Sequence, residues 1–302
     1  MRMLNADQVR AALDYPGLVA ALAAMLRDLR AGAAQAPQRT VAPLPLDGSL
    51  LVMPAADAEL AMTKLVTVHP RNANLPVVQT DVLVCSARTG ERLMLLDGEA
   101  ITGRRTAALS ALAARTLAPG NAGPLLLIGA GAQAAVHLEA FAAVLGVTEV
   151  SIASRTERRA LSLADHATSL GLRSRIVADP AEALDDARLI VTATTSETPV
   201  LPAAVRADAL IAAVGAFRPS MAEIPPDLAL NARVYVDTLD GARAEAGDLI
   251  QADLDWAEVI PLADALDQPP PPAGRPILFK SVGHALWDLA AVKVIVEGLK
   301  DT

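Results

Sequence analysis

The hexapeptide Gly129-Ala130-Gly131-Ala132-Gln133-Ala134 carries the most explicit chemistry in this 302-residue chain. It follows the apolar run Leu125-Leu126-Leu127-Ile128 and opens a helical stretch from Gln133 to Leu145. That context makes it the G-x-G-x-x-G/A turn of a βαβ unit. Gly129 permits the tight turn, Gly131 lets the backbone approach a pyrophosphate, and Ala134 keeps helix and strand close. The first helical amides, from Ala132 and Gln133, face the anion. The other reading of this spacing is a glycine-rich βα turn without a ligand. At the end of the next strand, an NAD-binding protein usually carries an acid for the ribose 2′-hydroxyl. Here Ser154-Arg155-Thr156 stands there, followed by Arg158 and Arg159. Guanidinium groups match a 2′-phosphate in charge and fork geometry. NADPH is therefore the expected coenzyme and NADH the second choice. Arg158 and Arg159 fit a solvated helix face equally well.

A second set of residues is cationic. Only four lysines, Lys64, Lys280, Lys293 and Lys300, occur among 26 basic residues, so arginine is the default cation. Lys64 sits in the alternating run Ala61-Met62-Thr63-Lys64-Leu65-Val66, on one face with Met62 and Val66. It is either a surface charge on an edge strand or a compact ammonium aimed into a pocket. Arg39 and Arg105 are open to the same two readings.

Other chemistries find little support. The histidines His69, His137, His166 and His284 are scattered, and no H-E-x-x-H occurs, so no metal site is expected. A single cysteine, Cys85, excludes an intramolecular disulfide framework. No G-x-S-x-G elbow is present. The net charge of −8, with no basic stripe, argues against nucleic-acid binding. The N-terminus lacks the apolar core of a signal peptide, and the hydrophobic stretch 125–145 is broken by polar residues and glycines. A soluble cytoplasmic protein with no membrane partner is expected. With 53% apolar residues but only 2% aromatic ones, Ala, Leu and Val must build the core.

The elements that position these groups fall into two grammars. A capping box at Asn5 and Gln8 opens one helix that runs toward Gly32. Short strands follow over 49–53, 61–68, 77–85 and 92–96, then a helix over 102–117. The breaker cluster Pro119-Gly120-Asn121-Ala122-Gly123-Pro124 marks a boundary. Beyond it, apolar strands alternate with helices, which means a parallel sheet covered on both faces. After the stiff run Pro269-Pro270-Pro271-Pro272, residues 278–299 read as a helix returning to the first part.

Taken in order, several segments resemble the ornithine cyclodeaminase/mu-crystallin family across nearly the whole chain. They include Pro37-Gln38-Arg39, Met62-Thr63-Lys64, Thr89-Gly90, Leu95-Leu96-Asp97-Gly98 and Arg105-Thr106-Ala107-Ala108. The series continues through Gly129-Ala130-Gly131-Ala132-Gln133, Thr192-Ala193-Thr194-Thr195-Ser196, Ala213-Val214-Gly215-Ala216 and Phe279-Lys280-Ser281-Val282-Gly283. The resemblance implies an α/β protein with a Rossmann-type doubly wound parallel sheet over 119–278. It also implies a discontinuous α+β substrate-binding and dimerisation domain over 1–118 with 279–302, and a homodimer. It places Arg39, Lys64 and Arg105 near a substrate carboxylate, and Thr80 and Arg105 near the coenzyme. Thr194, Val214 and Gly215 would line the coenzyme's ribose and nicotinamide, with Ser281 and Val282 closing the pocket. Arg155, between Ser154 and Thr156, agrees with an NADP preference.

One departure from the family pattern narrows the reaction. Ornithine cyclodeaminases carry an Asp soon after the Val-Gly pair, and Phe217 occupies that place here. A phenyl ring can neither transfer a proton nor pair with an ammonium group. The pattern resembles the reductase branch, so the expected reaction is NAD(P)H-dependent reduction of a small cyclic imino acid. Phe217 would wall the ring, and Glu245 or water would supply the imine proton. Ornithine cyclodeamination, alanine-dehydrogenase-like amination of pyruvate, and a mu-crystallin-like coenzyme-dependent binding protein are the competing readings.

Overall fold

A computed structural model describes residues 1–299; Lys300 lies outside them. The chain forms two compact units, one built from Met1–Arg105 with the segment from His284 onward, the other from Thr106–Gly283. The divisions fall between Arg105 and Thr106, inside a continuous helix, and after Gly283. The breaks expected from sequence were at 118/119 and 278/279.

The first unit begins with β1 (Arg2–Leu4), α1 (Ala6–Ala12) and α2 (Tyr15–Arg30). The Asn5–Gln8 capping box forms as expected, but the single helix does not. Asp14 accepts a hydrogen bond from the Gly17 amide at 2.8 Å and Pro16 stands in the first turn, so a second helix starts there. Strands β2 (Thr40–Leu44), β3 (Gly48–Ala56), β4 (Leu60–Val68), β5 (Val78–Ser86) and β6 (Arg92–Asp97) form an antiparallel meander. With β1 parallel to β6, the sheet order is β1-β6-β5-β4-β3-β2. Helix α3 (Gly98–Leu117) starts four residues before its expected position, where the Asp97 carboxylate accepts the Ala100 amide at 2.8 Å.

Register decides which side chains share a face. Met53, Lys64 and Val82 are cross-strand partners, flanked by Met62 and Val84, and all five are buried. Lys64 is therefore on the core face of a central strand, which removes the edge-strand reading.

In the second unit, β7 (Leu125–Ile128), α4 (Ala132–Leu145), β8 (Glu149–Ala153), α5 (Glu157–Ser169) and β9 (Arg173–Val177) form the first half of the sheet. Strands β10 (Leu189–Thr192) and β11 (Leu210–Ala213), helix α6 (Pro226–Asn231) and β12 (Arg233–Val236) come next. Helices α7 (Leu239–Glu245) and α8 (Gly247–Gln251), β13 (Ile260–Pro261), α9 (Leu262–Ala265) and β14 (Ile277–Lys280) complete it. All pairings are parallel, in the order β13-β12-β14-β11-β10-β7-β8-β9. The central strands β7, β10 and β11 are buried at every residue, as continuous apolar runs require. This is the doubly wound α/β sheet, and its order reverses between β7 and β10. Ligands bind at such a reversal, beyond the carboxyl ends of the strands.

The segment after the prolines departs from the expected continuous helix. Ile277-Leu278-Phe279-Lys280 inserts as β14 between β11 and β12, because an apolar run buried on both faces suits a central parallel strand. Gly283, at φ +87°, turns the chain, and His284 caps α10 (Ala285–Gly298). Helix α10 belongs to the first unit and packs on α2, β3 and β4. Among the described residues no single helix is long and apolar enough to cross a membrane; α1 and α2 qualify only as a pair bent by 79°.

Candidate functional site

In the second unit the glycine turn is built for a diphosphate. Gly129 has φ +107°, and a Cβ there would meet the Ala193 carbonyl at 2.5 Å. Only glycine permits that turn and that approach to the loop after β10. Gly131 is different: its backbone is extended and nothing lies within 4 Å of its Cβ direction. It caps α4 without a side-chain hydrogen bond, leaving the amides of Ala132, Gln133 and Ala134 without helical partners. Gln133 Oε1 is also buried without a hydrogen-bond partner. Open space at Gly131 before unpaired amides and a helix dipole fits a dinucleotide's pyrophosphate.

At the end of β8, Ser154 Oγ accepts the Thr156 amide at 3.2 Å, which shapes the turn that presents Arg155. Arg155, Thr156, Arg158 and Arg159 are exposed. On the other side of the strand reversal, Thr194 and Val214-Gly215 follow β10 and β11. A Cβ on Gly215 would lie 2.2 Å from the Thr194 carbonyl oxygen, so the two loops touch there. Phe217 is 41% exposed, with the Arg218 guanidinium 5.4 Å from its ring centre. Glu245 ends α7, half-buried. Ser281 and Val282 are held by Asp237, whose Oδ2 accepts from Ser281 Oγ at 2.8 Å and from the Val282 amide at 3.2 Å.

In the first unit the structure gathers the expected cations around a residue that sequence reasoning missed. Asp288, on α10, is fully buried. Lys64 Nζ donates to its Oδ2 at 2.8 Å, and Arg105 Nε donates to its Oδ1 at 3.1 Å. Lys64 also donates to Thr102 Oγ1 at 3.2 Å. Burial is the main influence lowering the Lys64 pKa below the ordinary lysine value; Asp288 opposes it, while Arg105 and Arg39 add to it. Arg39 is thereby placed in the same electrostatic neighbourhood. Burial raises the Asp288 carboxyl, but Lys64 and Arg105 outweigh it and hold the group below the ordinary carboxylate value. Two buried cations facing one carboxylate leave a net positive charge, a receptor for one further anion. Thr80 lies on this sheet face with an unpartnered buried hydroxyl, against Gly98. Asp288 is an acid inside the apolar run Ala285-Leu286-Trp287-Asp288-Leu289-Ala290, and that contrast was the available signal.

Two other features carry no chemistry of this kind. A cleft of about 390 Å³ opens at the opposite, amino-terminal ends of β7, β8 and β9. Its arginines are already engaged, Arg173 with Glu149 and Arg175 with Ser151 and Asp186. His137 is buried, which pushes its pKa down to about 4 against the bond to the Gln133 carbonyl, and Ser110 Oγ lies 3.0 Å from its Nε2. It is a neutral packing residue. Among the described residues no group of three or more His, Cys, Asp or Glu is arranged for a metal.

The ornithine cyclodeaminase/mu-crystallin family model matches residues 1–302. The chain is 42% identical over 300 residues to Delta(1)-pyrroline-2-carboxylate reductase 1 of Burkholderia multivorans, covering 98% of this chain and 96% of that protein. It is 40% identical over 300 residues to the Delta(1)-pyrroline-2-carboxylate/Delta(1)-piperideine-2-carboxylate reductase of Azospirillum brasilense, with 98% and 96% covered. Among solved structures it is similar to the Delta(1)-pyrroline-2-carboxylate reductase of Thermococcus litoralis in complex with NADH and L-proline. That match has a TM-score of 0.92 at 25% identity, covering 100% of this chain and 98% of that one.

Two expectations follow from the geometry. Gly131→Ala should leave thermal stability unchanged, because the added methyl meets open space, yet weaken coenzyme binding on the order of tenfold by obstructing the diphosphate; calorimetric titration with NADH and NADPH measures it. Asp288→Asn leaves two buried cations without a counter-charge and should cost about 3–5 kcal/mol in urea unfolding at neutral pH. Since folding lowers the Asp288 pKa from 3.8, its contribution holds above that value and fades as pH falls through the lower native pKa. The wild-type and variant stability curves should therefore converge below pH 3.8.

Proposed function

The chain belongs to the ornithine cyclodeaminase/mu-crystallin family, and from that membership and the charge arrangement in its first unit we propose that it reduces small cyclic imino acids. The substrates are Δ1-pyrroline-2-carboxylate and its six-membered homologue Δ1-piperideine-2-carboxylate, and the products are L-proline and L-pipecolate. It is an oxidoreductase acting on C=N bonds with a nicotinamide coenzyme. The relatives named above act on these imines, and the solved neighbour carries NADH and L-proline. The observation that carries the reading is the buried pair Lys64 and Arg105, over-neutralising Asp288 and calling for a carboxylate.

The roles follow from that charge. Lys64, Arg105 and Arg39 hold the substrate carboxylate through charge-assisted hydrogen bonds. Fixing the carboxylate fixes the adjacent imine carbon, and such orientation supplies much of the acceleration. A reduced nicotinamide, when bound, supplies the hydride. Protonation of the imine nitrogen makes the adjacent imine carbon electrophilic toward hydride. Water or Glu245 is assigned as the donor of that proton. Phe217 gives the substrate ring an apolar wall and supplies no acid for the ornithine lyase route. Within the second unit, Thr194 and Val214 are assigned to the nicotinamide half of the coenzyme; Thr80, Ser281 and Val282 keep the roles that the family resemblance implies.

Two finer assignments belong to the same reading. Arg155 and Arg159, exposed beside the turn after β8, favour NADPH over NADH by pairing with a 2′-phosphate. The outer face of the six-stranded sheet, opposite Lys64, bears Met3 and Leu65, 67% and 42% exposed. A second copy of this chain is the occupant assigned to that apolar face.

Coenzyme oxidation with each imine tests the activity. Turnover with both, and no ammonia from ornithine, is expected; ammonia release from ornithine without net coenzyme consumption would establish the lyase instead. Arg155→Asp should reduce the NADPH-over-NADH preference in kcat/KM on the order of tenfold, the loss of one charge-assisted contact. An unchanged ratio would remove Arg155 from the phosphate site.

A further inference from the structure

Glu223, in the loop between β11 and α6, is fully buried, and both of its carboxylate oxygens are occupied. Oε1 accepts from the Thr194 amide at 2.6 Å and Thr194 Oγ1 at 2.8 Å. Oε2 accepts from Thr192 Oγ1 at 3.0 Å, the Gly215 amide at 2.7 Å and the Ala216 amide at 3.2 Å. Each partner presents an N–H or O–H to it, so the side chain serves throughout as an acceptor. One side chain thereby ties the end of β10 and its loop to the turn after β11.

That node is itself anchored. Asp248, buried on α8, accepts the Glu223 and Ile224 amides on Oδ1 at 2.5 and 2.9 Å. Its Oδ2 lies 2.6 Å from Nζ of Lys280, the last residue of β14. The network therefore spans the carboxyl ends of β14, β11 and β10, three adjacent strands on one side of the strand reversal. The glycine turn and Arg155 follow β7 and β8, on the other side. A dinucleotide lying across the reversal puts its diphosphate and adenine half on that other side. The Thr194 and Gly215 loops are left for the nicotinamide half.

We propose that Glu223 is a positioning residue for the nicotinamide half of the coenzyme, acting through the backbones of Thr194 and Gly215 without touching the coenzyme. The proposal rests on the dinucleotide reading of the crevice and adds a residue that the motif did not contain. Two loops must meet closely here, since Gly215 has no space for a Cβ. Five donors converging on one carboxylate fix their separation. Replacing the carboxylate by an amide turns an acceptor into a donor, which faces other donors and drives the loops apart.

The test is Glu223→Gln in the full chain, with coenzyme and fragment titrations on protein whose folding is verified by circular dichroism. NADH is compared with ADP-ribose, and NADPH with 2′-phospho-ADP-ribose, fragments that keep the adenine half and the diphosphate. The dinucleotides should bind on the order of tenfold more weakly, the effect of orphaned buried donors, while the fragments bind as to wild type. Equal loss for dinucleotide and fragment, or no loss for either, overturns the proposal. Thr192→Val removes one donor and keeps the side-chain shape; it should show the same selective loss, smaller, and it decides the matter if Glu223→Gln does not fold. Wild-type protein that binds neither NADH nor NADPH would instead overturn the dinucleotide reading, and the proposal with it.

Discussion

The buried contact of Asp288 with Lys64 and Arg105 is the constraint on which the first unit turns. Two cations cannot stay out of water without a counter-charge, and the carboxylate that supplies it comes from the far end of the chain. Helix α10 must therefore return to the six-stranded sheet, and its apolar surroundings pack on α2, β3 and β4 as it does so. The same contact sets the chemistry. One carboxylate faces two cations there, and that charge pattern is what the proposed anionic substrate answers.

The second unit solves a different problem, holding a large anionic coenzyme without spending side-chain charge on its diphosphate. Backbone does that work: a left-handed glycine, an open glycine, and the unpaired amides that begin α4. Side-chain charge is reserved for the edges of the crevice. Arg155 stands exposed past the end of β8, and the buried Glu223–Asp248–Lys280 network ties together the loops past the strand reversal. Both units thus use buried ion pairs at functional ends of the fold, where geometry matters more than net stability.

Much of this was legible in the residues. The glycine turn declared itself through its strand-turn-helix context, and β7, β10 and β11 were visible as short apolar runs. The family pattern pointed to Lys64, Arg105 and Arg39, and Phe217 pointed away from ornithine cyclodeamination. The remainder depended on tertiary contacts. Asp14 splits the first helix through a local cap that the longer apolar periodicity masked. Ile277 to Lys280 read as helix because a four-residue apolar run looks alike in a buried strand and a buried helix. Asp288 pairs with Lys64 and Arg105, 224 and 183 residues away, and Glu223 reaches Thr192 and Thr194, 31 and 29 residues away, so spacing could not reveal them. Each is nonetheless a lone acid among apolar neighbours, a pattern that flags a buried, paired charge.

The most direct measurement is a crystal structure of the protein with L-proline and oxidised coenzyme. The account places the proline carboxylate within about 3 Å of donors on Lys64 and Arg105, with Asp288 still bridging the two. A carboxylate bound away from both cations, while they remain turned only toward Asp288, would contradict it.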